Sequence, residues 1–486
     1  MNQITRNALK IIRQTLAELN TGDASHQAAI APDPAVIFAP ASHANALDPE
    51  RPLVIGNRGV GKSFWSAVLV HSQARLQISQ IYNRLKLQRV EAVLGFHEDA
   101  GKDEGPAPSP AVLKQLLGAT EQPEDIWRAV LLKALGARFQ LHLPSSLRDL
   151  VEWTAENVEN SEEILRKADR DLQESGTIFL LVFDALDRLG RDWNTISLLS
   201  EGLLRFALEV RGFKAIRTKI FMRTDQANDD DLFRFADASK IKADAVRLEW
   251  QRTELFGLLY KQLLSDEHSA GALAQIAPHF GRLDVLRDLL EDEVIQEKLF
   301  YTIAGEFMGA SAKRGRTYSW LFDHLADAFG ETSPRSFLTA LQRAASHGPP
   351  PSDTAIDHNG IRSGVQVASE IRVAQLKEDY DWITEVLQAL EGLEVPCDPA
   401  VFKGRWKERT TVERIEAQAT AANKLLPLEL ERRKSDPEGS LLTALSNIGV
   451  VEFRTEARIN MPDIFRVAAG IKRRGGIRPP DVNRRR

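Results

Sequence analysis

Residues Gly56-Asn57-Arg58-Gly59-Val60-Gly61-Lys62-Ser63 combine glycines, an amine and a hydroxyl in the spacing G-x-x-x-x-G-K-[ST]. The chemistry this spacing permits is the holding of a polyphosphate. Glycines let the backbone bend around phosphate oxygens and turn its N–H groups inward. Lys62 is placed to reach the β- and γ-phosphates, and the Ser63 hydroxyl to ligate Mg²⁺. With Phe64, which opens the following helix, Gly56 to Ser63 form the candidate binding set; the helix adds the positive end of its dipole. A magnesium ion so held needs an acid at the end of a buried strand. Phe179-Leu180-Leu181-Val182-Phe183 is wholly apolar and ends at Asp184. Asp184 and Ser63 are the candidate metal-side residues, the alternative for Asp184 being an acid that caps the next turn.

The elements that must position these groups follow from periodicity. Leu53-Val54-Ile55 reads as a buried strand entering the glycine turn. Phe64 to Val90 reads as mostly helix, and Val90 to Phe96 as a second strand. Residues 99–125 read as a loop or insertion, followed by helices over 126–135 and 146–173. Thr177 to Phe183 has the continuous apolar character of a strand buried on both faces. Ile196 to Val210 is an amphipathic helix; Ile216 to Met222 and Ala245 to Glu249 are the fourth and fifth strands. Strands separated by helices predict an α/β fold with a parallel sheet.

The acid Asp184 is followed by Ala185-Leu186-Asp187-Arg188. This run resembles the D-x-L-D motif of STAND ATPases and the D-D-L-D-R of KAP-type P-loop ATPases, within the wider AAA+-like group. The resemblance covers roughly residues 50–345. It implies an additional-strand P-loop NTPase core in sheet order 5-1-4-3-2, a helical lid, and ATP with Mg²⁺ as cofactors. It also implies roles for further residues. Where many such ATPases carry a glutamate, this chain has Ala185, so Asp187 becomes the candidate general base; a surface acid starting a helix is the alternative. Arg223, Thr224 and Asp225 close the fourth strand where a γ-phosphate sensor sits, or form a plain polar strand exit. Arg234 falls where AAA+ proteins carry an arginine that reaches a neighbour's nucleotide, against the alternative of a solvated face. Arg335 follows Ser333 and Pro334 in a helix first turn, as the sensor-2 arginine of a lid does. A cation there opposes the helix dipole unless an anion faces it.

The remaining chain supplies context. Residues 1–20 read as an amphipathic helix and 21–50 as a lead-in. The expected organisation is that N-terminal segment over 1–50, the NTPase core over 51–252, a lid over 253–345 and a linker over 346–364 rich in Pro and Gly. A C-terminal helical, winged-helix-like domain over 365–470 and a basic tail over 471–486 complete it. A helix spans 371–390. Helix 441–448, Gly449 and strands over 450–454 and 457–460 give the winged-helix resemblance. In the last sixteen residues seven basic side chains against Asp481 give +6, so the total of −5 hides a body of −11. The tail is a candidate for DNA or RNA backbone, or for docking on an acidic subunit surface.

Composition excludes other classes. With 43% hydrophobic and 27% charged residues the chain is neither collagen-like nor wholly disordered. No apolar run nears the ~20 residues of a membrane span. One cysteine, Cys397, and an N-terminus without a continuous apolar stretch point to the cytoplasm. Scattered histidines predict no zinc site. Trp65, Trp127, Trp320 and Trp382 are expected in the core. By resemblance, the chain is expected to be an ATP-hydrolysing switch that forms a homo-oligomer or engages a separate effector protein in bacterial antiviral defence or stress signalling. The alternatives are a DNA-binding AAA+ protein (initiator, loader or transposition regulator) and a nucleotide-stabilised scaffold with negligible turnover.

Overall fold

The computed structural model describes residues 3–21, 28–34, 37–102, 105–277, 289–422, 424–433, 435–473 and 477. The chain divides into two units, one of residues 24–249 and one that joins 1–23 to 250–486.

The first unit is built on five strands: β1 (Leu53–Gly56), β2 (Val90–Phe96), β3 (Ile178–Phe183), β4 (Ile216–Arg223) and β5 (Val246–Arg247). Their order is β2-β3-β4-β1-β5, and every pair is parallel. The expected order 5-1-4-3-2 is thus observed. Every residue of β1 is buried, as the apolar run required. Register follows from the apolar match: Leu53 pairs with Ile220, Gly56 with Arg223, and Phe183 with Ile220. The carboxyl ends of β1, β3 and β4 therefore leave the sheet along one edge, where open α/β sheets bind ligands.

Helices cover this sheet. Pro123–Phe139 buries Trp127, whose indole N–H donates to Leu199 O at 2.9 Å. The same ring meets Phe183 edge-on at 5.4 Å, supporting the end of β3. The expected loop over 99–125 holds a short helix, Pro110–Leu116, capped by the Ser109 hydroxyl. The helix expected over 64–90 is two helices, Lys62–Val70 and Ser72–Ile81, followed by two 3₁₀ turns. The lead-in after residue 28 is tied to this unit: Tyr82 donates through its hydroxyl to Pro40 O at 2.6 Å.

One polar strand residue is a fully buried cation. Lys219 lies in the middle of β4 and is fully buried. Its ammonium donates to Asp48 O at 2.6 Å and to Arg51 O, carbonyls at the entry to β1. Burial pushes its pKa down to about 7. The folded state therefore binds fewer protons than the unfolded chain between pH 7 and 10.5, so this lysine makes stability rise with pH in that window, by at most about 1.4 kcal/mol per pH unit. Lys219→Met should abolish that slope. The urea midpoint of the variant should fall further behind the parent at pH 9 than at pH 7; a constant gap would contradict the depressed pKa.

The second unit is mostly helical. Gln3–Ala17 buries Ala8, Leu9, Ile12 and Leu16 on one stripe, as its period predicts. It packs beside Glu267–Ile276 and Pro334–Ser346. The linker expected over 346–364 is confined to 347–357, because His358–Asp379 is already helix. Gly360 and Gly364 are packing residues. A Cβ on Gly364 would stand 2.1 Å from Ala340 O, and one on Gly360 2.7 Å from Ala344 O, so the two helix backbones touch through glycine. The helix expected over 371–390 breaks at Tyr380 and resumes as Ile383–Ala389.

At the C-terminal side, helix Pro437–Asn447 leads into an antiparallel ribbon of β7 (Glu452–Phe453) and β8 (Ile459–Asn460). This is the winged-helix-like arrangement. A further parallel pair joins β6 (Glu394–Val395) to β9 (Lys472–Arg473). Of the basic tail, Lys472 and Arg473 belong to β9; Arg474, Arg478 and Arg484 to Arg486 lie outside the described residues. Trp65, Trp127 and Trp382 are core residues, but Trp320 is half-buried, because its ring is stacked on the His324 imidazole at 3.8 Å rather than on apolar neighbours. Among the described residues no helix is long and apolar enough to cross a membrane. Gly364→Val should force the two helices apart, at a cost of about 3 kcal/mol, visible as a lower thermal midpoint; an unchanged midpoint would show that the crossing is loose.

Candidate functional site

β1 ends at Gly56, and the chain turns through Gly59 (φ 82°) and Gly61 (φ 103°) into the helix Lys62–Val70. Both angles lie in the left-handed region, where only glycine is unstrained. The helix begins on Lys62, with Trp65 N–H donating to Gly61 O at 2.9 Å. The first N–H groups of a helix lack intrahelical acceptors, and here they face the loop that the sequence marks for phosphate. Lys62 lies across the loop and donates to Gly56 O at 2.8 Å and Asn57 O at 2.9 Å. Burial pushes its pKa down to about 8, with Arg223 adding to the shift and Asp184, Asp187 and Asp225 opposing it.

Asp184 follows β3 and is 3% exposed. Burial raises its pKa, while a hydrogen bond from Ser63 and the nearby Lys62 ammonium work against that rise. Ser63 and Asp184, the two residues named as metal-side groups, therefore meet. A hydroxyl and a carboxylate are hard oxygen donors suited to Mg²⁺, which takes one or two protein ligands and completes its shell with phosphate and water. No group of three or more His, Cys, Asp or Glu side chains forms a metal site among the described residues. The donor set fits Mg²⁺ shared with a phosphate and does not fit a metal held by protein alone.

Ala185 adopts φ 57°, an uncommon conformation for a residue with a Cβ. It reverses the chain into the 3₁₀ turn Leu186–Arg188, which carries Asp187 back toward the strand ends. Asp187 Oδ2 then lies 3.5 Å from Arg223 Nη1. Arg223 ends β4 and is gripped on its other side by Asp225, at 3.0 Å through Nε and 3.2 Å through Nη2. Burial works against the guanidinium charge, but the two carboxylates outweigh it and raise the pKa. Lys62, Ser63, Asp184, Asp187, Arg223 and Asp225 thus form one charged cluster at the strand ends. Thr224, the neighbour of Arg223, is buried in the short helix Thr224–Ala227.

Two other arginines are expected at the nucleotide. Arg234 is 76% exposed and pairs with Asp231 at 2.8 Å, a local i,i+3 contact on the surface. Arg335 sits in the first turn of Pro334–Ser346, capped by the Ser333 hydroxyl as its sequence predicts, and belongs to the second unit.

The fold is that of an additional-strand P-loop NTPase. This rests on the sheet order and on the loop between β1 and its helix. No family model matches the chain, and no curated protein matches it. Among solved structures it is similar to Cdc6p from Pyrobaculum aerophilum, at 12% identity and a TM-score of 0.30, over 90% of this chain and 95% of that one. It is also similar to the ORC2 protein of Aeropyrum pernix in ADPNP-ADP complexes, at 11% identity and a TM-score of 0.35, over 85% of this chain and 84% of that one.

One supporting residue gave no signal in sequence. His43, from the lead-in, is buried and accepts the Trp65 indole N–H on Nδ1 at 3.2 Å. Its Nε2 meets Glu249 O at 2.9 Å, so the donor role falls to Nε2 and the acceptor role to Nδ1. His43 thereby ties the helix behind the phosphate loop to the end of the sheet unit. A lone histidine between Ser42 and Ala44 carries no pattern that could have revealed this.

Because Asp225 makes two short contacts to Arg223 and Asp187 one long one, the two acids should differ in what they hold. Asp225→Asn should destabilise the first unit by about 2 kcal/mol, leaving a half-buried guanidinium short of charge. Asp187→Asn should cost clearly less. Equal losses in urea midpoint would show that Asp187 carries half the grip.

Proposed function

We propose that this protein binds ATP with Mg²⁺ at the Gly56–Ser63 loop and hydrolyses it, using the cycle as a conformational switch. The observation that carries this reading is the shared edge of the parallel sheet, where the loop after β1 and Asp184 after β3 come together and Ser63 and Lys62 act on the Asp184 carboxylate. It brings the two metal-side residues together in a site that also holds Lys62. When bound, Mg²⁺ would draw charge from the β- and γ-phosphates. Loop N–H groups and the Lys62 ammonium would hold the same phosphates. Arg223, oriented by Asp225, is a fixed cation at the end of β4 and suits a developing charge on the terminal phosphate. Asp187 is the acid left to orient water and take its proton, and its link to Arg223 couples those two roles.

The wider role is read from resemblance: a switch that assembles with its own kind or with a separate effector, in bacterial defence or signalling. Arg335 would report nucleotide to the lid, and Arg234, on an exposed face, would exchange its local partner Asp231 for a neighbouring subunit. A second reading, a DNA-handling protein, draws on the helix and ribbon of the C-terminal region. On that ribbon Arg454 is paired with Glu452 at 2.7 Å and Arg458 donates to Pro396 O at 2.6 Å. Both are engaged within the protein, so the switch reading leads, and DNA contact would fall to the tail.

Lys62→Ala should abolish binding of a fluorescent ATP analogue, and Asp187→Ala should leave binding intact while turnover falls about 10²-fold or more. Tight ATP binding by Lys62→Ala would overturn the site. Full turnover in Asp187→Ala would remove that acid from the reaction, and a parent protein that binds ATP without turnover would favour the scaffold. DNA binding that weakens with salt and vanishes on deletion of 471–486 would favour the DNA reading.

A further inference from the structure

A polar cavity of about 380 Å³ opens within the second unit, far in sequence from the phosphate loop. One wall is the end of helix Thr317–Leu325 and the turn after it, with Asp323, His324 and Asp327; the other is the ribbon and the residues that follow it, with Glu452, Asn460 and Asp463. Its volume lies in the range of small-molecule sites.

Two of its side chains are almost fully buried and have hydrogen-bonding capacity to spare. Asp463 is 4% exposed and Asn460 1%. Asp463 Oδ1 is occupied by Arg466 Nε at 2.6 Å, with Arg473 at 3.6 Å, but Oδ2 accepts no hydrogen bond. His324 Nε2 stands 3.7 Å from that oxygen, beyond bonding distance. Asn460 donates to Glu452 Oε1 at 2.6 Å, and its own Oδ1 accepts nothing. A buried acceptor without a donor is destabilising, so both oxygens favour an incoming N–H.

The charge balance points the same way. Asp323, Asp327, Glu452 and Asp463 contribute four carboxylates. Against them stand Arg454, already paired with Glu452 at 2.7 Å, and two arginines turned to Asp463, Arg473 and the buried Arg466, so carboxylates outnumber guanidinium groups four to three. Burial pushes His324 below its usual range, with Asp463 opposing, so it adds little positive charge at neutral pH. The arginines have carboxylate partners while the buried oxygens want donors, and an anion would enter against excess negative charge. A bare metal ion lacks a ligand set, since no three His, Cys, Asp or Glu side chains are arranged for one among the described residues.

We propose that this cavity binds a small organic cation through a primary ammonium or guanidinium group that donates to Asp463 Oδ2 and Asn460 Oδ1. Such a group supplies several N–H donors to two acceptors, and Asp323 at the exposed rim adds long-range attraction. A bound cation would bridge helix Thr317–Leu325 to the ribbon. The same chemistry can come from a free amine or from an arginine side chain of a peptide. The inference is independent of the ATPase reading.

The test is isothermal titration of the full chain with butylguanidinium, butylammonium, and the neutral isostere butylurea. At least one cation should bind ten times more tightly than butylurea. Asp323→Asn, at an exposed position, should weaken that cation at least threefold, and Asp463→Asn at least tenfold. Asp323→Asn remains decisive if Asp463→Asn unfolds by stranding Arg466. A further arm uses acetyl-Gly-Arg-Gly-amide: tighter binding than butylguanidinium assigns the source to a protein side chain, and weaker binding to a free cation. Absence of binding by both cations and the peptide, butylurea binding equally well, or no effect of Asp323→Asn would each overturn the proposal.

Discussion

The parallel hydrogen bonding of β1 and β3 to the strand between them is the constraint on which the phosphate-loop site depends. β4 pairs with both, so the chain must leave all three strands along one edge. That places Gly56, Asp184 and Arg223 together although they come from three distant parts of the sequence. An antiparallel neighbour would have sent one of these ends to the far side. The apolar runs that form the strands thus decide where the chemistry occurs, and the polar residues that follow them decide what it is. Trp127 and Phe183 brace β3 from behind, and His43 does the same for the loop helix through Trp65.

At that edge the protein concentrates charge where solvent is scarce. Such a cluster persists only if each member has a partner. Arg223 lies between Asp187 and Asp225, and Ser63 and Lys62 stabilise the Asp184 carboxylate, while Lys62 rests on two loop carbonyls. The acid that comes three residues after Asp184 is brought into this group by a left-handed residue, Ala185, and a single 3₁₀ turn. Local backbone geometry therefore places Asp187 beside Arg223, although it stands three residues past Asp184 in sequence.

The second unit solves a different problem. It has little sheet, so its stability comes from helix packing, and the closest approach is made by Gly360 and Gly364 against the backbone of Pro334–Ser346. In sequence these glycines stand after Pro349-Pro350-Pro351 and read as part of a flexible connection. In space they remove side chains from a crossing that has no room for them. The polar cavity near the ribbon shows the opposite choice, with buried oxygens left open where an apolar core would have been simpler to satisfy.

The sequence by itself determined the strands and the loop motif, whereas the sheet order was what the resemblance to P-loop ATPases implied. Continuous apolar runs separated by helical segments permit few parallel topologies, and the glycine-lysine-serine spacing has a narrow chemical meaning. It also marked Asp184, at the end of such a run, while Asp187 and Arg223 were marked through the resemblance. Only the tertiary structure decided how these groups are partnered. It shows that Asp225 holds Arg223, that Arg234 stays on the surface, and that His43 and Lys219 are buried by polar contacts to carbonyls far away in sequence. Those contacts join residues up to 206 positions apart, and no local pattern encodes them. The physical reason is that apolar burial is written in periodicity, whereas the pairing of a buried polar group depends on which backbone and side-chain atoms the fold happens to bring within about 3 Å.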